Sequence, residues 1–435
     1  MRYARSVPFR RAAVAVALLF LVGIPAAGAA PAAETACALE GGETILFFGD
    51  SITQQGKYVE DVDAFLLTRF PGKTFRIVNA GISSETISGT SEPDHHPPRP
   101  WAHERFDRDV AAAEPDIVVA CFGMNDGNYH PFDRVKFQKY RAGVRRLIDR
   151  CRRIGARPVL MTPPPFDPYR RRAGDPHATH WGYKYPAVDY DTVLTVYSHF
   201  LVGLRREGFL VADVHAATND HLRTRRKERV SFHLAGDGIH PNATGHWLMA
   251  QTLLETLGVP PEVAPAEIDA DAMKVASGRV KHLKKADDRI AFTWTTPLPM
   301  PVDPGWDPQS LAVERTFDRL SRHRLTVTGL ADGRWRLEAD GQAVADVTAD
   351  ALARGLDLNR LPEWPRTADA RQVLKLIQQR RRTIYGAWRR GLKTGRKGAG
   401  QEAIRKAETD TTDLLKQARA LAEPRPVAVR LLPAE

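Results

Sequence analysis

Five short apolar segments alternate with amphipathic segments between about residues 43 and 258, and this alternation limits the chain to few folds. The apolar segments occupy residues 44–48, 75–78, 116–122, 158–162 and 209–213, and helical periodicity occupies residues 58–70, 132–154, 190–206 and 242–257. Strands separated by helices need crossover connections, which produce a parallel sheet covered on both faces. Nearly continuous apolar strands are typical of such sheets. We therefore predict an α/β fold, a three-layer α/β/α sandwich with about five parallel strands, whose ligands bind beyond the carboxyl ends of the strands.

The first thirty residues have the layout of a secretory signal peptide. Four arginines within the first eleven residues precede an apolar run over residues 12–24, and small residues with an A-x-A pattern follow at 27–29. The apolar run is too short to cross a hydrocarbon layer of roughly 30 Å. We expect cleavage of residues 1–30, export to the periplasm or the extracellular space and no stable membrane insertion afterwards. An uncleaved anchor is the alternative.

The character of the sequence changes after Gly258, which suggests that one domain occupies residues 40–260 and that other parts follow it. Prolines mark residues 261–322 as a connector, and residues 323–435 are expected to form a C-terminal extension. Within it, residues 325–330 and 334–339 alternate across an Asp-Gly turn, a pattern that predicts a β-hairpin. Asp340-Gly341 predicts a second turn. Two basic helices are expected at about 368–390 and 401–422.

The net charge of +11 does not indicate nucleic-acid binding, because the basic excess lies in the signal segment and in the C-terminal part. The central domain is roughly neutral. The cluster Arg380-Arg381-Arg382 could contact anionic polysaccharide, but we favour a solvated helix face. Three cysteines form no disulfide framework. Cys121 and Cys151 have core-like neighbours, and the sequence leaves open whether they pair.

Residues with catalytic chemistry follow several of the predicted strands. Ser51 comes directly after the first strand, Gly81 after the second and Asn125 after the third. Asp237 and His240 lie three residues apart before the last helix, a spacing that can place a carboxylate beside an imidazole. Each motif alone is also compatible with an ordinary turn. Their common position after strands predicts one site at the carboxyl edge of the sheet.

This set of motifs resembles the SGNH hydrolases of the GDSL esterase group, whose blocks carry Ser, Gly, Asn and His in that order. The resemblance covers roughly residues 43 to 257. Ile52 replaces the leucine of the family's GDSL motif, a conservative change. The family's fold is a three-layer sandwich like the one predicted from the strands. The absence of G-x-S-x-G around Ser51 argues against the nucleophile elbow of α/β-hydrolases.

The resemblance implies a role for each motif residue. Ser51 becomes the nucleophile, His240 the general base and Asp237 the acid that orients the histidine. The backbone N–H groups of Ser51 and Gly81 and the side chain of Asn125 become the oxyanion hole. The family needs no metal and no cofactor, and we expect none.

A long insertion at residues 166–186 leaves the fourth strand on the side of the predicted site. It carries four aromatic side chains that we expect to contact substrate: Tyr169, Trp181, Tyr183 and Tyr185. Together with export, the insertion makes O-acetyl groups on polysaccharide the first substrate hypothesis. Lipid esters, aryl esters and thioesters are the alternative substrates. A non-catalytic carbohydrate-binding protein of the cell envelope is the alternative class. The sequence leaves the acyl group, the alcohol and the oligomeric state open.

Overall fold

A central sheet of five parallel strands confirms the predicted α/β architecture in a computed structural model that describes residues 38–171 and 180–434. Its strands are β1 (Thr44–Gly49), β2 (Arg76–Gly81), β3 (Ile117–Cys121), β4 (Arg157–Met161) and β5 (Leu210–Ala212). All five residues of β3 are buried, because helices cover both faces of the sheet.

The spatial order of the sheet is β2-β1-β3-β4-β5. The chain moves outward from β1 to β2 and then returns to the other side of β1 to form β3. This reversal leaves a crevice beyond the carboxyl ends of β1 and β3, where doubly wound sheets bind ligands. The topology therefore places the loops after β1 and β3 side by side.

Six helices accompany this sheet, and α2 packs against α6 while α3 contacts α4. They are α1 (Ser51–Gln55), α2 (Lys57–Arg69), α3 (Arg134–Arg153), α4 (Tyr190–Gly203), α5 (Val214–Glu228) and α6 (Ala243–Thr256). Short 3₁₀ or π segments lie at Ala102–Glu104, Phe106–Val110, Ala111–Ala113 and Leu204–Glu207.

Helix α5 is absent from the sequence prediction. Its buried face carries His215, Thr218, His221 and Arg225 beside only two aliphatic residues, so the apolar periodicity that marks the other helices is missing. The sequence feature that could have marked this helix is its N-terminal cap, Asp213, whose side chain accepts from the Ala216 N–H at 3.2 Å.

The expectation of a connector at residues 261–322 is wrong, because this segment holds four strands. The elements are β6 (Ala266–Asp269), β7 (Lys274–Ser277), β8 (Val280–Ala286), β9 (Arg289–Thr296), α7 (Pro308–Val313) and α8 (Thr316–Leu320). Four of its seven prolines lie in the loop between β9 and α7, and none lies within a strand. The strand β8 is largely exposed and rich in lysine, so it lacks the apolar pattern that reveals a buried strand.

The predicted hairpin of residues 325–330 and 334–339 is also wrong. The remaining elements are β10 (Arg324–Thr328), β11 (Arg334–Ala339), β12 (Gln342–Thr348), α9 (Ala349–Arg354), β13 (Leu356–Asp357), α10 (Thr367–Lys393), α11 (Ala399–Asp410), α12 (Thr412–Ala422) and β14 (Arg425–Ala434), with a 3₁₀ turn at Leu358–Arg360. Strand β10 pairs in parallel with β6 in a sheet ordered β13-β10-β6-β7. Strand β11 belongs to a second sheet, ordered β12-β11-β14-β9-β8.

Burial explains why the chain passes from one sheet to the other after β10. Leu325 and Val327 of the first sheet share a core with Trp294 and Leu337 of the second. Strands β10 and β11 therefore contribute side chains to one core from two different sheets instead of pairing edge to edge. The second predicted turn does form a hairpin: Asp340-Gly341, both at positive φ, joins the antiparallel strands β11 and β12.

The C-terminal helices α10 and α12 pack against α2 of the central domain, where Ala64 and Leu67 share a core with Val373 and Ala418. The predicted helix at 401–422 is interrupted at Thr411 and forms α11 and α12. The solvated face expected for the arginine cluster is only partly present. Arg380 and Arg381 are buried, at 7% and 8% exposure.

Several predictions fall on the N-terminal segment. The signal peptide at 1–30 and Cys37 lie outside the described residues. Cys121 and Cys151 are both buried and unpaired. Among the helices of the described ranges, none has the length and apolar character needed to cross a membrane.

Candidate active site

Ser51 is the first residue of α1 and follows directly on β1. The Asp50 side chain caps this short helix by accepting from the Ile52 N–H at 2.9 Å. The Ser51 N–H has no acceptor among the described residues, as expected in a first helical turn. Ser51 is half-buried. The turn after β1 thus presents both the Ser51 hydroxyl and a free N–H at the crevice.

The Asp237–His240 turn lies against Ser51. His240 Nε2 is 2.9 Å from Ser51 Oγ, and His240 Nδ1 is 2.7 Å from Asp237 Oδ2. Asp237 Oδ1 also accepts the N–H groups of Ile239 and His240 at 2.9 and 2.8 Å. Partial burial acts to raise the pKa of Asp237, but the hydrogen bonds from His240 and Ile239 hold that pKa well below its usual range. Asp237 is therefore ionised and fixed against the histidine ring.

Asn125 lies in the loop after β3, and its side chain is buried beside Ser51's neighbour Asp50. Its Nδ2 donates to the Glu85 carbonyl at 3.1 Å and lies 3.4 Å from Asp50 Oδ2. The Glu85 carbonyl can only accept, so it faces the NH2 side of the amide, and the Tyr129 hydroxyl donates to Asn125 Oδ1 at 3.1 Å. Burial raises the pKa of Asp50 to about 7, although the hydrogen bond from the Ile52 N–H acts to lower it.

The structure does not support Gly81 as an oxyanion donor. The Gly81 N–H donates to Asn79 Oδ1 at 2.9 Å, so it is already satisfied. A side chain on Gly81 would meet the backbone of Thr53 and Gln54 at 2.5 and 2.3 Å. Glycine is needed there because α1 packs closely on the end of β2, a contact that the sequence alone does not reveal.

Ser84, which follows Gly81 in the loop after β2, provides an alternative backbone N–H donor. It has a left-handed φ of 63° and its N–H has no acceptor among the described residues. Its carbonyl accepts from Arg99 Nη1 at 3.2 Å, and the next carbonyl, of Glu85, contacts Asn125. No sequence pattern pointed to Ser84, since a serine at positive φ is uncommon.

Of the four aromatic residues expected to bind substrate, two lie beside the site and two lie further away. The Tyr183 ring lies 5.5 Å from the ring of Tyr129, the tyrosine that holds Asn125. Tyr169 is 84% exposed and follows Asp167, whose N–H donates to the Gly238 carbonyl of the Asp237–His240 turn at 2.8 Å. Both therefore border the site.

Trp181 and Tyr185 lie further along the same loop. The ring of Trp181 is 6.4 Å from His130, and the ring of Tyr185 is 6.2 Å from His180. Within the described ranges neither contacts Ser51, Asn125 or His240 by a hydrogen bond or a ring contact. Residues 172–179 of the insertion lie outside the described part of the chain.

This arrangement can carry out nucleophilic chemistry. A hydroxyl in contact with an imidazole, itself held by an ionised carboxylate, is the geometry in which serine is deprotonated as it attacks. The same crevice contains the N–H groups of Ser51 and Ser84, neither of which has an acceptor among the described residues. The hydrogen-bonded series Ser51–His240–Asp237 thus lies where the topology places a ligand.

Residues 47–248 match the model of the GDSL-like lipase/acylhydrolase family. The chain carries a domain of this family. The GDSL domain makes the protein an ester-bond hydrolase, which confirms the resemblance found in the sequence.

Two further proteins are similar to this chain. An acetylxylan esterase of Geobacillus stearothermophilus is 28% identical over 244 residues, which span 50% of this chain and 94% of that protein. The solved structure of BT4096, described as a gut microbial diltiazem-metabolizing enzyme, has a TM-score of 0.72 at 20% identity, covering 91% of this chain and 98% of its own. The second likeness concerns the fold, and it extends beyond the GDSL domain into the C-terminal strands and helices.

Proposed function

We propose that this chain is an exported serine esterase that removes O-acetyl groups from carbohydrate, with Ser51 as its nucleophile. The observation that carries the proposal is the hydrogen-bonded series Ser51–His240–Asp237, with distances of 2.9 and 2.7 Å. It lies at the switch point of the sheet, in a GDSL domain.

The proposed reaction has two steps. Ser51 Oγ attacks the ester carbonyl carbon while its proton passes to His240 Nε2. Asp237 stabilises the imidazolium through Nδ1. The C–O bond to the sugar then breaks, and His240 returns the proton to the departing alcohol oxygen. In the second step, water gives a proton to His240 and attacks the acyl-enzyme, which releases acetate and restores Ser51.

The negative oxygen of each tetrahedral intermediate needs preorganised donors. We assign this role to the Ser51 N–H, the Ser84 N–H and Asn125 Nδ2. Neither N–H group has an acceptor within residues 38–171 and 180–434. Asn125 Nδ2 already donates to the Glu85 carbonyl, and its contact with Asp50 Oδ2, at 3.4 Å, is the weaker one. The hydrogen directed towards Asp50 is therefore the one available to the intermediate.

The acetylated-carbohydrate substrate is supported by two facts. The relative in Geobacillus stearothermophilus is an acetylxylan esterase. Tyr183 and Tyr169, both exposed to solvent, border the site, and flat aromatic faces are suited to pack against sugar rings. Export is supported by the basic, apolar and small-residue order of residues 1–30.

The test compares acetate release from acetylated xylan with hydrolysis of p-nitrophenyl acetate and octanoate. We expect Ser51-dependent acetate release and a preference for the acetyl ester. A preference for octanoate without activity on the polymer would move the substrate to lipid esters. Inactivity on every ester would favour the binding protein. N-terminal sequencing of the protein from the culture medium or periplasm would test export, with cleavage expected near residue 30.

A further inference from the structure

A cavity of about 270 Å³ lies between the GDSL domain and the C-terminal helices. Residues just before β1 and β2 line one side, including Gly42 and Thr74, and α10, α11 and α12 line the other. It therefore opens at the amino ends of β1 and β2, whereas Ser51 follows the carboxyl end of β1. The six residues of β1 separate the two sites by about 20 Å.

Basic side chains dominate this cavity. Its lining contains five cationic and two anionic residues: Lys73, Arg76, Arg380, Arg381 and Arg419 against Asp63 and Glu408. Each acid already has an arginine partner. Glu408 binds Arg76 through two contacts, at 3.0 and 3.3 Å, and Asp63 binds Arg381. Lys73, Arg380 and Arg419 form no ion pair with a carboxylate in the part of the chain that the structure describes.

Arg380 is the most unusual of these residues. Only 7% of its surface is exposed, yet it makes no hydrogen bond or ion pair with any residue in the described ranges. Its Nε is fully buried without a partner. Burial, followed by the charge of the neighbouring Arg381, lowers the pKa of Arg380 to about 10, although the charges of Asp63 and Glu408 act to raise it. A buried guanidinium that makes no hydrogen bond to an anion is costly, so such groups are normally paired directly.

We propose that this cavity binds an oxyanion, the phosphate or sulfate group of a small molecule, with Arg380 as its principal ligand. Planar guanidinium groups recognise such anions through paired, charge-assisted hydrogen bonds. Arg419 and Lys73 supply additional charge from opposite sides. The volume is below the ~300 Å³ at which pockets for drug-sized ligands begin, so it fits a free ion or a small ester.

The site joins two parts of the chain, and this gives the anion a structural role. Arg380 and Arg419 come from the C-terminal helices, while Lys73 precedes β2 of the GDSL domain. An anion held by both parts binds only the folded protein and therefore raises its stability. Its distance from Ser51 means that ester hydrolysis does not require it.

The test is calorimetric titration of the full chain with inorganic phosphate, at an ionic strength held constant with sodium chloride. We expect one site, and a melting temperature that rises with phosphate concentration. Arg380→Gln is expected to weaken binding at least tenfold. Arg419→Gln, at an exposed position that leaves the core intact, is expected to weaken it about threefold. Arg371 occupies an exposed position of α10, the helix that carries Arg380. Arg371→Gln is therefore the matched control and should bind phosphate as the wild type does.

Two sources of the anion are distinguished by a second titration with glucose 6-phosphate. Tighter binding than that of inorganic phosphate indicates a sugar ester as the ligand, and weaker binding indicates the free ion. No binding of phosphate or the sugar ester beyond the chloride control would overturn the proposal. Equal binding by Arg380→Gln, Arg419→Gln and Arg371→Gln would overturn it as well.

Discussion

Two Ser–His–carboxylate arrangements among the described residues have nearly the same distances. In the GDSL domain, Ser51 lies 2.9 Å from His240, and His240 lies 2.7 Å from Asp237. Outside the crevice, Ser310 of α7 lies 2.8 Å from His221 Nε2, and His221 Nδ1 lies 2.8 Å from Glu314. Distances alone therefore do not distinguish a catalytic group from a structural one.

The surroundings of the two serines differ in access and in hydrogen bonding. Ser310 is fully buried, whereas Ser51 is half-exposed. Ser310 Oγ donates its hydrogen to Asp307 at 2.7 Å, so His221 has to donate to Ser310 and cannot act as its base. Ser51 has no such competing acceptor among the described residues. A Ser–His–carboxylate series becomes reactive only where the serine proton is free and a substrate can enter.

The largest difference between the two regions should be in turnover. Ser51→Ala is expected to lower kcat/KM for p-nitrophenyl acetate by about 10⁵- to 10⁶-fold, because it removes the proposed nucleophile. Ser310→Ala should keep kcat/KM within about twofold, as expected of a site remote from the chemistry. A large loss of turnover in a folded Ser310→Ala variant would remove the distinction.

The carboxylates should differ in the same way. Asp237→Asn is expected to lower kcat by about 10³- to 10⁴-fold, because an amide cannot hold the histidine in the tautomer that accepts a proton through Nε2. Glu314→Gln is the matched change in the buried series and should leave kcat unchanged. Comparable kcat values for the two variants would show that Asp237 does not orient the catalytic base.

Stability should respond in the opposite direction. Ser310→Ala leaves the buried His221 ring without one hydrogen-bond partner, and we expect a loss of about 1–3 kcal/mol in the free energy of unfolding. Ser51→Ala, at a half-exposed position, should change it by less than about 0.5 kcal/mol. Urea denaturation of both variants gives the comparison. Equal losses would mean that the Ser310 network contributes no more to folding than the active site does.

The pH dependence of stability should also separate the two capping aspartates. The folded-state pKa of Asp50, about 7, exceeds its ordinary value of 3.8, so its contribution to stability falls as pH rises from about 4 to about 7. Burial acts to raise the pKa of Asp307, but Ser310 and Arg225 lower it overall, so its contribution is lost as pH falls below the ordinary range. We compare the wild type with Asp50→Asn and Asp307→Asn in urea at pH 3.5, 5 and 8.

Relative to Asp50→Asn, the wild type should lose about 2 kcal/mol between pH 5 and pH 8. Relative to Asp307→Asn, it should lose less than about 1 kcal/mol between pH 5 and pH 3.5, since Asp307 is partly exposed. Parallel profiles for the two variants would contradict the opposite directions assigned to these carboxyl groups.

The sequence predicted the central sheet and the meeting of Ser51, Asn125, Asp237 and His240 because each motif follows or borders a strongly apolar segment. It failed for Gly81, since no sequence pattern tells which way a backbone N–H points. It also failed where burial uses polar residues: the inner face of α5 contains His221 and Arg225, so its apolar periodicity is weak.

The C-terminal part shows the same limit on a larger scale. An alternating pattern identified the residues of β10 and β11, but pairing depends on which distant strand completes each sheet. Arg380 and Arg381 look like a surface cluster in the sequence, and only the packing of α10 on the GDSL domain buries them.

The role of Ser51 is tested most directly by labelling the protein with a fluorophosphonate and locating the adduct by peptide mass spectrometry. We expect a single adduct on Ser51, lost in Ser51→Ala and retained in Ser310→Ala. No adduct on Ser51 in the folded wild type, or an adduct on Ser310, would contradict it.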